Sequence, residues 1–258
     1  MSDELLRLER LTLRYGSLTA VDGVDLSVAR GSRHALIGPN GAGKSSLFAV
    51  VAGTTRATSG RVHFDGRDVT GLREAARARA GLVRTFQHSS LFGGCSVLDN
   101  VRLASERSVG SPLRAWRSRR GAAEVTEQAM GHLEAVGLAD RSGAPSGSLS
   151  HGERRQLEVA MVLGCRPVLV LFDEPTAGMS AAETQRFSEL VEALPDDVTV
   201  VVVEHDLDVV FRLADRVTVL ATGKVIADGD PETVRADPAV QSAYLGGRST
   251  RSLFGGAR

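Results

Sequence analysis

Lysine is nearly absent from this chain. Of 31 basic residues only Lys44 and Lys224 are lysine. A coding bias that replaces Lys by Arg wherever the surface permits accounts for that usage. A lysine that survives the drift marks a place where a compact point charge is needed. Cysteine is scarce as well: Cys95 and Cys165 lie far apart and form no CxxC. That fits a reducing cytosol and gives no disulfide framework or metal site. Long apolar runs are missing. The longest, residues 168–172 and 198–203, are strand-sized, so no membrane span is expected. The first stretch, MSDELLRLERLTLRYG, is charged throughout and has no signal-peptide core. Net charge is zero, so no overall basic field argues for nucleic acid. What is present is 258 residues, 42% apolar and 24% charged. That is ordinary for a globular protein and enough for one large domain carrying a sizeable subdomain.

Apolar patterning alternates between two periods. Residues 11–13 and 24–28 read as short strands joined by turns, and 33–37 as a strand feeding a Gly-rich loop. Residues 44–52 follow as a helix with Gly53 just past its end. Residues 61–64 and 81–85 read as further strands. From about 91 to 163 the pattern is helical, with a good helix at 124–135 and an irregular connection at 105–121. Strands return at 168–172, 198–203, 216–220 and 224–227, with helices at about 181–193 and 206–214 between them. The expected fold is therefore α/β with a largely parallel core sheet, an N-terminal β part and an inserted helical block. The tail after Gly246, GGRSTRSLFGGAR, is expected to be disordered.

Several stretches carry chemistry. Gly38-Pro39-Asn40-Gly41-Ala42-Gly43-Lys44-Ser45 fits G-x-x-x-x-G-K-[ST], after a strand and before a helix. Its glycines let backbone N–H groups wrap phosphate oxygens. Lys44 would reach the β- and γ-phosphates, and the Ser45 hydroxyl would ligate Mg²⁺. The run 168–172 is apolar on both faces and ends in Asp173-Glu174, where a parallel sheet binds ligands. Asp173 is a candidate for Mg²⁺ through its water shell, and Glu174 for general base. The run 198–203 ends at Glu204-His205-Asp206. His205 can hydrogen-bond a γ-phosphate and the attacking water. Gln87, in Arg84-Thr85-Phe86-Gln87, can offer its carbonyl to Mg²⁺ or water. Tyr15 reads either as a half-buried surface residue or as an exposed ring able to stack on adenine.

LSHGERRQLEVA, residues 149–160, poses a separate question. Ser150 stands three residues before Glu153, and an apolar helix face follows: a capping box. Gly164 and Pro167 are expected to close the helix. Its N-terminal N–H groups, at Ser150-His151-Gly152, attract an anion.

Together and in this order, these residues resemble an ATP-binding cassette (ABC) ATPase over about residues 6–245. The resemblance places Tyr15 at the A-loop, Gly38 to Ser45 at Walker A and Gln87 at the Q-loop. Leu149 to Glu153 falls at the signature, Asp173-Glu174 at Walker B and His205 at the switch histidine. It implies a P-loop cassette at 1–247 with a helical subdomain at about 91–163. It implies ATP binding by Tyr15, Gly38, Pro39, Asn40, Gly41, Ala42, Gly43, Lys44, Ser45 and Ser46, with Mg²⁺ at Ser45, Gln87 and Asp173. It also answers the question of the anion: Ser150, His151, Gly152 and Glu153 would cap the γ-phosphate of ATP bound by a partner cassette. Two departures stand out. The usual LSGGQ is LSHGE here, and the loop after Walker B, Ala177-Gly178-Met179-Ser180, ends in Ser where an Asp is usual.

RTFQHSSLF, LSHGERRQLEVAMVL, DEPTAGMS, VEHDLDVVFRLADRVTVL and ADPAVQSAYLG further resemble the ATPases of bacterial branched-chain amino acid importers and their urea and amide relatives. That implies membrane permease subunits, a second ABC ATPase and, indirectly, a solute-binding protein as partners, with the chain peripheral at the cytoplasmic face of the cell membrane. Arg114, Trp116, Arg117, Arg119 and Arg120 read either as a solvated face or as a contact with lipid headgroups or the permease. Other classes remain open: a lipid or drug exporter, an ABC ATPase acting on ribosomes or DNA, and a P-loop kinase. The single cassette and the lack of sustained heptads speak against the ribosome or DNA class. A kinase leaves the signature and His205 unexplained.

Overall fold

The computed structural model describes residues 4–85, 91–108 and 119–245. Strands β1 (Glu4–Tyr15), β2 (Leu18–Ala29), β4 (Ser59–Phe64) and β5 (Arg67–Asp68) form an antiparallel sheet in the order β2-β1-β4-β5. The second sheet holds β3 (Arg33–Ile37), β6 (Leu82–Arg84), β7 (Leu169–Asp173), β8 (Thr199–Val203), β9 (Arg216–Ala221) and β10 (Lys224–Gly229). Its order is β10-β9-β3-β8-β7-β6, parallel except for the β9–β10 hairpin.

Both faces of the second sheet are buried, as its uninterrupted apolar runs require. Alternate residues of each strand serve different cores. Leu36, Leu169, Leu171, Val201 and Val203 pack with the antiparallel sheet and with Leu47, Phe48 and Val51 of helix α1 (Lys44–Ala52). Ala35, Ile37, Val170, Phe172, Val200 and Val202 face the other way. There they meet α6 (Ala181–Glu192) and α7 (Leu207–Leu213), and Phe172 meets Phe187 edge to face at 5.5 Å.

Between β6 and β7 stand α3 (Val97–Ser108), α4 (Arg119–Ala135) and α5 (His151–Gly164), joined by buried Val97, Val101, Ala129, Leu133, Leu157 and Ala160. Short helices α2 (Glu74–Arg79), α8 (Pro231–Ala236) and α9 (Pro238–Leu245) complete the described chain. No helix among the described residues is long and apolar enough to cross a membrane.

Two expectations about elements need correction. The two N-terminal strands are twelve residues each, not short, because β1 and β2 pair along their whole length with bulges that interrupt their alternation. The connection expected at 105–121 is narrower, since α3 runs to Ser108 and α4 begins at Arg119. The helix opened by Ser150 ends at Gly164 as expected, and the left-handed turn follows at Arg166 (φ 49). A side chain at Gly164 would place Cβ 2.7 Å from Ser105 Oγ, so this glycine serves the close packing of α5 on α3.

Arg77 ties α1 down. It is 1% exposed and donates to Val50 O at 2.7 Å, Val51 O at 2.6 Å, Leu72 O at 3.1 Å and Thr70 O at 3.2 Å. A cation thus satisfies carbonyls at the C-terminal end of the helix whose N-terminus opens the Gly-rich loop.

Candidate nucleotide site

Four neighbouring parallel strands, β3, β8, β7 and β6, all present their C-terminal ends on one sheet edge. Leu36 and Asp173 are both in register with Val203, and Arg84 with Leu171. Parallel pairing therefore brings together segments scattered from position 38 to position 205.

At the end of β3 the chain turns through Gly38 (φ 151), Gly41 (φ 79) and Gly43 (φ 101) into α1. A Cβ on Gly38 would lie 2.1 Å from Leu220 O, and one on Gly43 would lie 2.2 Å from Ala20 O. No other residue fits either place. Lys44 is 6% exposed, and its Nζ donates to Gly38 O at 2.7 Å and Pro39 O at 3.2 Å. Burial pushes its pKa below the usual lysine value, against the pull of the Glu174 and then the Asp173 carboxylate. The other lysine, Lys224, only forms an exposed pair with Asp22 at 3.3 Å, so its persistence has no counterpart in the site.

Asp173 closes β7 at 2% exposure. Its Oδ2 accepts from Arg84 Nη2 at 2.6 Å, while Oδ1 is buried with no partner among the described residues. Glu174 sits in the left-handed region (φ 47), and its N–H donates to Val203 O at 2.9 Å. Glu174 is partly exposed.

At the end of β8, Glu204 is fully buried and accepts from Thr176 N at 3.0 Å, Thr176 Oγ1 at 2.7 Å and His205 N at 3.1 Å. It ties the turn after Asp173-Glu174 to the turn carrying His205. The His205 ring is mostly exposed, with Nδ1 3.7 Å from Glu204 Oε2. Tyr15, at the tip of β1, is 49% exposed. Gln87 lies outside the described residues, as do Arg114, Trp116, Arg117 and the tail after 245; the side chains of Arg119 and Arg120 are likewise not described.

The helix opening at Ser150 has the anticipated cap. Ser150 N donates to Glu153 Oε2 at 2.8 Å, and Glu153 N to Ser150 Oγ at 3.2 Å. The backbone bond from Ser150, then the Ser150 hydroxyl and Arg141, hold the Glu153 carboxyl below its usual pKa despite slight desolvation. Ser180 makes the same box with Glu183 at the start of α6. The departure at Ser180 is thus a helix cap. A groove between α5 and α6 is lined by Ser150, Gly152, Gln156, Met179, Glu183 and Phe187.

Two features escaped the sequence reading: the grip of Arg84 on Asp173 and the link made by Glu204. The only signal was a charged residue at the end of each strand, which is common where strands meet solvent.

A glycine loop between a central parallel strand and a helix, with a buried Asp ending a neighbouring strand, defines a P-loop nucleoside triphosphatase. The chain belongs to the ABC transporter family, whose model matches residues 21–177. A second family, the branched-chain amino acid ATP-binding cassette transporter, matches residues 224–249. The chain is 37% identical to the high-affinity branched-chain amino acid transport ATP-binding protein BraF of Pseudomonas aeruginosa, covering 95% of this chain and 99% of that protein. It is 34% identical to LivG of Escherichia coli, a protein of the same description, again covering 95% and 99%. Among solved structures, the ADP conformation of MJ1267, an ATP-binding cassette of an ABC transporter, superposes with a TM-score of 0.82 at 31% identity. That match covers 94% of this chain and 99% of that one. The protein is an ATP-binding, ATP-hydrolysing transporter subunit.

Proposed function

We propose that this subunit powers an importer of branched-chain amino acids or related small amides, peripheral at the cytoplasmic face of a bacterial cell membrane. The observation that carries this reading is the match to branched-chain amino acid cassettes at residues 224–249, beyond the stretch 21–177 that the general ABC transporter model matches. ATPase residues say nothing about solute, so a likeness beyond them is what discriminates. The cassette spans 1–247, and its helical part, about 91–163, faces the permease subunits. A second cassette, identical or related, completes two ATP sites, and a solute-binding protein supplies the cargo.

ATP lies in the loop from Gly38 to Ser46 with its adenine against Tyr15. Lys44 leaves the carbonyls of Gly38 and Pro39 for the β- and γ-phosphates. The donor set suits Mg²⁺, which takes few protein oxygens and keeps water. Asp173 Oδ1 is a buried acceptor in want of a donor, and a metal-bound water would provide it. Ser45, Gln87 and Asp173 would hold the ion, which supplies charge neutralisation at the phosphate oxygens. Glu174 accepts a proton from water as that water attacks the γ-phosphorus, and the bond to the bridging oxygen of ADP breaks. His205 bonds the γ-phosphate and the water. Ser150, His151, Gly152 and Glu153 of the opposite cassette cap the same phosphate. ATP favours the closed pair, and hydrolysis releases it.

The test is reconstitution of the complete complex in liposomes with ATP on the cytoplasmic side. Labelled leucine, isoleucine or valine should move inward, with urea or short amides next. Outward movement of a lipid or drug, with no inward movement of these solutes, would sink the importer reading and leave the ATPase assignment standing.

A further inference from the structure

We propose that Arg84 is a positioning residue for Asp173: its guanidinium pins one carboxylate oxygen so that the other is presented to the magnesium shell of bound Mg-ATP. The inference rests on the reading of Asp173 as the Mg²⁺ carboxylate.

Three observations converge. Arg84 Nη2 donates to Asp173 Oδ2 at 2.6 Å, between side chains only 15% and 1% exposed. Asp173 Oδ1, buried beside it, has no partner among the described residues. The other nearby cation is engaged elsewhere, because Lys44 Nζ donates to Gly38 O and Pro39 O. The carboxylate is therefore held by one oxygen and open at the other.

The grip comes from the frame of the sheet. Arg84 ends β6, Asp173 ends β7, and the strands are paired through Arg84 and Leu171. Just beyond, Thr85 N and Thr85 Oγ1 both bond Leu171 O, at 2.9 and 3.3 Å. Arg84 thus reaches its partner from a braced strand end. A carboxylate torsion is broad and roughly two-fold when free. A charge-assisted bond at 2.6 Å removes that freedom before the metal arrives. Partners that hold metal-binding groups from behind are commonly worth about tenfold or more in metal affinity.

The charge of Arg84 gives the test its direction. A guanidinium acting as a competing cation would weaken Mg²⁺ binding, and its removal would strengthen it. A guanidinium acting as a positioner does the opposite. The measurement is equilibrium binding of ADP to the full chain with and without Mg²⁺, read as the factor by which Mg²⁺ tightens the nucleotide. Wild type, Arg84→Met, Arg84→Lys and Asp173→Asn are compared, with a thermal melt of each to verify folding. Arg84→Met should reduce the Mg²⁺ factor about tenfold while leaving Mg-free affinity unchanged. Arg84→Lys, with the charge but not the planar fork, should fall between it and wild type. If Asp173→Asn leaves the Mg²⁺ factor at the wild-type value, the reading of Asp173 is wrong. If Asp173→Asn lowers it while Arg84→Met leaves it unchanged or raises it, the positioning role is overturned. Should Arg84→Met not fold, Arg84→Lys decides alone: a reduced factor supports the role, and a wild-type or larger one overturns it.

Discussion

Lowering the pH should destabilise this protein through one histidine in the strand that feeds the nucleotide loop. His34 of β3 is fully buried, and its Nε2 lies 2.8 Å from Thr218 Oγ1. The Thr218 hydroxyl donates to Asp228 Oδ1 at 2.8 Å, so its oxygen accepts from His34 Nε2–H. Nδ1 is then a buried lone pair without a donor among the described residues, and protonation would put a proton there with no acceptor among them. Burial pushes the pKa from 6.5 to about 4, the pull of Asp228 notwithstanding, with Arg216 adding to the depression. Between those values the unfolded chain binds the proton and the folded chain does not. Stability is therefore full above about pH 6.5 and is lost as pH falls toward about 4. At about 1.4 kcal/mol per pH unit the loss is about 3 kcal/mol. Against a typical total of about 5–15 kcal/mol that is severe. It should lower the melting temperature by roughly 6–12 °C. Urea unfolding of wild type and His34→Gln across this range isolates the effect, because every other titrating group is shared. The difference between the two proteins should shift by about 3 kcal/mol across the window. Parallel pH dependence in both, or an NMR titration of His34 near its ordinary value, would refute the reasoning.

Lys44→Ala should weaken ATP binding about tenfold to a hundredfold, the worth of a charge-assisted bond to phosphate, as read by nucleotide titration. Lys44→Arg should fail similarly, since a planar fork does not suit the space between Gly38 and Pro39. Glu174→Gln should bind ATP yet turn over about a hundredfold or more slowly, and Mg-ATP should accumulate a closed cassette pair visible by size-exclusion chromatography. Unchanged turnover would remove Glu174 as the base. Arg77→Met should cost about 3 kcal/mol in chemical denaturation, because the buried carbonyls of Val50 and Val51 and the part-buried ones of Leu72 and Thr70 lose a charged donor.

The sequence made local chemistry legible where one residue type has one physical use. Gly53 ends α1 in the left-handed region (φ 83), and the Ser150–Glu153 box opens α5, both as the pattern predicts. The buried strands 169–173 and 199–203 were readable because a parallel sheet covered on both faces leaves no alternation to mistake. The N-terminal strands were not, because bulges around Leu8, Leu11 and Leu13 break their alternation. The Ser180–Glu183 box obeys the same rule as Ser150–Glu153, and there Ser180 stands where the family has an Asp and caps a helix instead. Contacts across the sheet edge were out of reach. Arg84 and Asp173 are 89 positions apart, and Thr176 and Glu204 are 28 apart. Only strand order makes them neighbours, and no local pattern encodes it.

The left-handed backbone at Glu174 has an evolutionary corollary. A non-glycine residue held at φ 47 costs on the order of 1 kcal/mol, which glycine would not incur. The proposed base therefore stands where its replacement by glycine relieves backbone strain. In a lineage that no longer needs turnover, drift runs downhill at this codon toward a sturdier cassette that still holds ATP but has lost the means to cleave it. Selection for hydrolysis has to be renewed continually to keep a carboxylate there, and a stability screen that ignores activity would favour glycine at this position.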